Sequence, residues 1–566
     1  MEWSQAVKAV RDGFDARRDR LAKVAMTEAF GDQDIYGRGG LMHLWGGTEL
    51  PRANEHLRWV AAWFEHPHPH GRDHHGEADF TAIRLARAMA QFADRLEPAT
   101  AVAIEQFLLT KDYESMHFGG ENHSLQFHTS RLVAAQLYPD RPFAAYASQT
   151  GRELAPFDTR WLTRFIEFRA RQGWGEFDSL GYVSVDMESL VTLRDFAADL
   201  RLRRLAGDMC NLLLADIVVD MLQGVMGGAH GRSYAANLHE TTSSTSHSLM
   251  HLYFGLGRVE AIPVFHPIEC LISDNRPDPL VIDIAIGRRE PYVNRERKYL
   301  HRFSDALPAV VGPGSIRKLT WWCPQFVIGA VQFQDGYGAD SPDIWYARHQ
   351  QVEWELLLGG QPPVSVFTHH PDRQLMHSYW TGDNDCECGS FFQNGPAVAA
   401  VYRIAPKSKF QYIHAHLPHR MMDEVVQRGQ WMFLHRGPVY AGLWSHHGWR
   451  WTTEGEDAGR ELISDGPTHG IVCEAGLADE YVSFAAFQDQ LASAAIGFDP
   501  QAVSLEYHSP RHGRLGVDAD GGRFLNGQAV DLEYPTWDSP YLRSAWDSGV
   551  VELSKDGRKR VIDFNA

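Results

Sequence analysis

The apolar residues of this chain keep one period up to about residue 310 and another after about Ile316, and no other feature restricts the fold as much. In the first stretch they recur every three or four residues: Leu85, Met89, Phe92 and Leu96; Trp161, Phe165 and Phe168; Leu202, Leu205, Met209 and Leu212. That spacing puts them on one face of a helix. Asp158 reads as an N-cap, and Pro98 and Pro156 as punctuation between helical runs. About ten such helices, joined by Gly- and His-rich loops, suit antiparallel pairs curled into a ring. Past Ile316 the period is two, and β-branched and aromatic residues crowd short runs bounded by Gly, Pro and Asp. Trp431–His435 and Val439–Trp444, joined through Arg436-Gly437-Pro438, predict a hairpin, and Phe410–Leu417 predicts a strand. Ala306, Leu307, Pro308 and Gly312-Pro313-Gly314 supply turn residues between the halves. The expectation is a multidomain α+β chain: a helical domain over residues 1–310 and an antiparallel β-sheet domain over 316–566.

A length of 566 residues exceeds one ordinary core and agrees with two domains. Lys and Arg number 54 against 72 Asp and Glu, a net charge of −18, which argues against nucleic acid or an anionic membrane as partner. No apolar run approaches membrane-spanning length. The opening MEWSQAVKAVRDGF lacks the apolar core of a secretory signal, so the chain as given reads as cytoplasmic; a removed signal peptide would make it periplasmic or secreted. Six cysteines (Cys210, Cys270, Cys323, Cys386, Cys388 and Cys473) fit reduced thiols. Assembly into a homo-oligomer is compatible with this composition.

Three segments combine glycines with protonatable side chains next to strongly helical stretches. They are Gly119-Gly120-Glu121-Asn122-His123-Ser124, Gly173-Trp174-Gly175-Glu176-Phe177-Asp178-Ser179-Leu180-Gly181-Tyr182 and Gly227-Gly228-Ala229-His230-Gly231-Arg232-Ser233-Tyr234. Connections between successive helices of a ring emerge on one rim, so all three can line one cleft. Their residue types suit proton abstraction beside a carboxylate. An amide, a guanidinium or an imidazolium, from Asn122, Arg232 or a charged His230, would neutralise the developing anion. His123 and Tyr182 would supply base and acid. Tyrosine titrates near ~10, so its use as a base requires a cation such as Arg232 beside it.

The adjacent Asn122-His123 pair at a helix start, Tyr182 behind a Gly-rich Asp-Ser loop, and the later Gly231-Arg232-Ser233 resemble the heparinase II, alginate lyase and chondroitin AC lyase superfamily. That resemblance implies an incomplete α/α toroid followed by an antiparallel β-sandwich, and β-elimination on a uronic-acid-containing glycan, with an unsaturated uronate end as product. Asn122 would neutralise the carboxylate, His123 would act as base or assist it, Tyr182 would be acid and also a candidate base, and Arg232 would support the anion. His230 departs from the chondroitin AC lyase pattern and leaves the division of labour with His123 open. The implied partner is an acidic oligosaccharide or polysaccharide, which a chain of this charge must meet with locally concentrated cations. Trp174, Glu176, Tyr234 and Trp45 are the candidate substrate contacts.

Rival readings use other residues. Glu176 with Asp178, or Asp112 with Glu114, could serve a glycoside hydrolase on a similar ring, and a non-catalytic glycan-binding protein could keep the same fold. Catalysis requires no cofactor in the lyase reading. His414 and His416 share one strand face, a spacing that a structural zinc could use with a third ligand, as in some members of the superfamily. The tract His66, His68, His70, His74 and His75 reads as an extended loop because prolines interrupt it, and the CxC pair Cys386 and Cys388 as ordinary thiols.

Overall fold

The computed structural model describes residues 3–27, 34–63, 78–113, 120–259, 267–300, 303, 314–334, 350–371, 378–381 and 389–566. Among them fourteen α-helices precede Tyr292, and antiparallel strands dominate after it. The five histidines from His66 to His75, Glu114, Gly119, residues 306–313, Cys386 and Cys388 lie outside the described residues. The four described cysteines are buried free thiols.

Helices pack on their neighbours: Ala78–Phe92 on Glu121–Leu137, that helix on Gly151–Gln172, and Tyr182–Phe196 on Leu200–Asp220. The ring closes because Gln5–Asp12 packs on Pro279–Gly287 and Phe14–Thr27 on Thr245–Phe254. Leu85, Phe107, Leu132, Phe165, Leu190 and Leu213 belong to its continuous apolar core. Each such side chain stabilises the fold by roughly 1.5–3 kcal/mol relative to exposure. No helix among the described residues is long and apolar enough to cross a membrane.

Local punctuation differs from the sequence reading in one helix. Pro156 and Asp158 lie inside Gly151–Gln172, and the cap is Thr150, whose backbone N–H and hydroxyl both reach Glu153. Asp158 is instead the buried acceptor of His128 Nδ1 at 2.7 Å and Arg131 Nε at 2.9 Å. A buried ion pair across helices outweighs the local capping preference.

Twelve strands form one antiparallel sheet that runs the length of the second half, and a six-stranded sheet packs on one of its faces. Ile328, Trp354, Leu356 and Val366 of the first meet Val398, Ala400, Met432, Leu434 and Leu443 of the second, which makes a β-sandwich. The hairpin of Trp431–Arg436 and Val439–Ser445 forms as its sequence predicts. A five-stranded sheet and the helix Phe484–Ala492 cover the other face of the six-stranded sheet.

The ring rests on the remaining face of the large sheet. That sheet begins with Tyr292–Tyr299, ahead of the boundary at 310 that the period suggests. The strand was hidden because its inward positions, Asn294, Glu296 and Lys298, are polar yet 0% exposed. At the chain's end, Trp537, Leu542, Leu553, Ile562 and Phe564 return to the core of the ring. The division into 1–310 and 316–566 therefore follows element type, whereas the packed cores interleave.

Candidate active site

The first segment enters the helix Glu121–Leu137, so Asn122 and His123 stand in its first turn. The second ends at Tyr182, the first residue of Tyr182–Phe196. Tyr182 is thus held by a helix from its first residue. The third follows Leu200–Asp220 and is pinned on both sides: Gly231 N–H donates to the Phe177 carbonyl at 2.6 Å, and His230 and Val352 exchange backbone bonds at 2.9 and 2.8 Å. A Cβ at Gly231 would meet the Phe177 ring at 2.9 Å, so only glycine allows this approach.

The three segments converge. A Cβ at Gly120 would lie 2.7 Å from Asn122 Oδ1, 3.0 Å from an Arg232 Nη and 3.2 Å from His123 Cδ2. The Arg232 guanidinium carbon lies over the Tyr182 ring, 4.0 Å from its centroid, and the Tyr182 and Tyr234 hydroxyls are 2.6 Å apart. Phe80 connects the two sides: its ring stands edge-on to His123 at 5.6 Å and shares an apolar cluster with Tyr36, Val185 and Tyr182.

The hydrogen bonds define what each group can do. Asn122 is fully buried, and its Oδ1 accepts from the His123 N–H at 2.6 Å. This turns Nδ2 away, and neither Asn122 Nδ2 nor Arg232 Nε has a hydrogen-bond partner among the described residues. Two unused buried donors, on residues that both approach Gly120, are costly unless a ligand takes them up. Arg232 donates through Nη1 to Glu176 Oε1 at 2.7 Å; burial would lower its pKa, but Glu176 outweighs that and raises it, so the cation persists. Burial raises the Tyr182 phenol well above its usual value, with Arg232 opposing and Tyr234 adding. Tyr182 is therefore a proton donor in this structure. His123 Nδ1 is 2.6 Å from Asp79 Oδ2, and burial raises the Asp79 carboxyl while His123 opposes.

Beneath these groups lies a carboxyl cluster that the sequence reading did not single out. Glu121 accepts the backbone N–H groups of Glu176 at 2.6 Å and Gly175 at 3.2 Å and pairs with Arg169 at 2.6 Å. Asp186 sits one turn beyond Tyr182 on the same helix; burial and then Glu121 and Glu176 push its carboxyl well above the usual range. Spacing of four from Tyr182 on an otherwise apolar helix face was the available signal. Glu121 lay within the first segment without a role assigned to it, and for Asp79 and Arg169 no local pattern existed.

Other candidates are placed differently. His230 is fully buried, with Nδ1 2.9 Å from the Asp178 carbonyl and Nε2 3.2 Å from Glu355 Oε2, so it fastens the second and third segments to the sheet. Trp174 is 3% exposed and packs edge-on to Phe165 in the ring core, which leaves no open face for a sugar. Trp45 lies near the far end of Arg38–Gly46, with Arg18 over its ring at 5.4 Å, and is not brought to the other site residues. Asp112 is exposed. Glu176 is bound by Arg232 and Asp178 by two lysines, so this pair does not form the free carboxylate pair that a hydrolase needs.

His414 and His416 do share a face, both buried, with Nδ1 bonded to Glu461 at 2.8 Å and to the Ser365 carbonyl at 2.8 Å. Trp380 stacks on His414 at 4.1 Å and stands edge-on to His416 at 5.6 Å, His239 stacks on His416 at 4.6 Å, and among the described residues no third His, Cys, Asp or Glu completes a set of donor atoms within 4.8 Å of one another. Among the described residues, the one His, Cys, Asp or Glu group with donor atoms close enough for an ion is Asp178, Asp216 and Glu296, and the Lys298 ammonium already lies within 3.2 Å of all three.

No protein-family model and no curated protein matches the sequence. Among solved structures, the chain is similar to a chondroitinase AC lyase solved with oligosaccharides and to a mutant of the heparan sulfate lyase HepC from Pedobacter heparinus. The first likeness covers 97% of this chain and 95% of that one, with a TM-score of 0.42 and 9% identity. The second covers 91% and 90%, with a TM-score of 0.37 and 9% identity. Both are distant likenesses in the path of the chain and assign no residue.

Proposed function

We propose that this chain is a carbon–oxygen lyase that cleaves a uronic-acid-containing glycan by β-elimination. The observation that carries the reading is the pair of unused buried donors, Asn122 Nδ2 and Arg232 Nε, in a site that also holds an Asp79-oriented histidine and a protonated tyrosine. The donors suit the C6 carboxylate, on which charge accumulates as the C5 proton leaves. His123, with Nδ1 turned to Asp79, offers Nε2 as the base. Tyr182 protonates the departing glycosidic oxygen as the C4–O bond breaks and the C4–C5 double bond forms. Tyr234 holds the phenol, and Glu176 holds the guanidinium over it.

The test is incubation with a panel of uronate-containing glycans and mass analysis of the products. Elimination releases fragments whose combined mass equals that of the substrate, whereas hydrolysis adds one water. Products carrying that water would overturn the proposal and direct attention to the buried carboxyls.

A further inference from the structure

Behind the segment that delivers Tyr182, six charged side chains are sealed into the seam between ring and sheet. Asp178, Asp216, Asp220, Glu296, Lys298 and Lys318 are each at most 4% exposed. Lys298 Nζ lies 2.7 Å from Asp178, 3.0 Å from Asp216 and 3.2 Å from Glu296. Lys318 Nζ contacts Asp178, and lies 2.7 Å from Asp220 and 2.8 Å from Glu296. Buried charges survive only when paired and hydrogen-bonded, and removing one partner costs far more than the pair contributes.

Asp178 alone in this network also belongs to the site. Its backbone carbonyl holds His230 Nδ1, and the next residue, Ser179, donates its hydroxyl to the Arg232 carbonyl at 2.9 Å while accepting the Tyr182 N–H at 3.2 Å. Asp178 and Arg232 have φ of +49° and +40°. Side-chain-bearing residues hold this left-handed conformation only where the surroundings over-determine it. For Asp178 the surroundings are two ammonium groups from adjacent strands of the sheet, Tyr292–Tyr299 and Ser315–Trp322.

We infer that Asp178 is a positioning residue: Lys298 and Lys318 fix its carboxylate, and through Ser179 and His230 it fixes Tyr182 and Arg232, so the sheet completes a site whose reacting groups all come from the ring. The inference rests on the reading of Tyr182 and Arg232 as reacting groups. The test uses the full chain as wild type, as Asp178→Asn, and as Asp178→Asn with Lys318→Met, which removes one charge of each sign. Melting temperature, hydrogen–deuterium exchange of the peptides spanning 173–182 and 227–234, and turnover of any glycan found by the panel are measured. Asp178→Asn is expected to speed exchange in both peptides about tenfold. The double variant is expected to recover the melting temperature but not the slow exchange, with kcat lower by about 100-fold and KM within about threefold of wild type. Recovery of wild-type exchange by the double variant, or exchange in Asp178→Asn within about twofold of wild type, would show that the carboxylate only balances charge. If no glycan is turned over, the lyase reading fails while exchange still decides the role of Asp178.

Discussion

His123 Nδ1 and Asp79 Oδ2 lie 2.6 Å apart, both side chains nearly or wholly buried, although 44 residues separate them. A carboxylate at that nitrogen fixes the tautomer in which the other ring nitrogen is the basic one. Asp79→Asn can present an N–H to the same nitrogen and reverse the tautomer. It should lower kcat by about 10²–10⁴-fold with KM little changed, a loss larger than any drop in folded fraction at the assay temperature. Steady-state kinetics beside a thermal melt decide this, and an unchanged kcat would remove His123 from the reaction.

Tyr182→Phe removes the proton donor and leaves the ring under Arg232. A loss of about 10³-fold in kcat is expected, while substrate affinity measured by calorimetry stays within about threefold. A variant that turns over at the wild-type rate would show that the leaving oxygen takes its proton from elsewhere.

Stability should depend on pH through the seam. Burial pushes the Asp220 carboxyl up to about 6, with Lys318 opposing and Glu296 and Asp178 adding, from 3.8 in the unfolded chain. A raised carboxyl means that the folded state binds the proton more tightly. Its contribution is complete below the unfolded value and is lost as pH rises through about 6. The melting temperature should therefore fall between about pH 4 and about pH 7, and Asp220→Asn, which mimics the protonated form, should flatten that fall. Parallel curves for the two proteins would contradict the assignment.

The two tryptophans proposed as sugar contacts should separate by phenotype. Trp174→Ala empties a packed site in the ring core and should destabilise the fold by about 3–5 kcal/mol in a denaturant melt. Trp45→Ala should leave KM within about twofold of wild type, because its ring is engaged by Arg18 away from the site. A large rise in KM for Trp45→Ala would place substrate much farther from Tyr182 than the site geometry implies.

Much of the fold was legible because periodicity is a local property. Leu202, Leu205, Met209 and Leu212 need only a shared face to reveal a helix, and Trp431–Arg436 with Val439–Ser445 needs only alternation and a turn. Glycines next to helix starts likewise marked the segments of Asn122, His123, Tyr182 and Arg232, which the fold brings together. The same local reading failed at Asp158, taken for a cap, and at Trp174, which is buried in the ring core, because an aromatic side chain says nothing about which way it faces.

The sequence by itself determined the order of helices and strands and the segments that carry the polar groups of the site. Only the tertiary structure decided that Asp79 orients His123, that Asp186 lies among the carboxyls beneath Arg232, and that His230 fastens loops to the sheet. It also decided that Asn294, Glu296 and Lys298 face inward. Whether a buried charge is tolerable depends on a partner that chain order does not reveal: Lys318 reaches Asp178 across 140 residues, and that pairing exists only once ring and sheet have closed on each other.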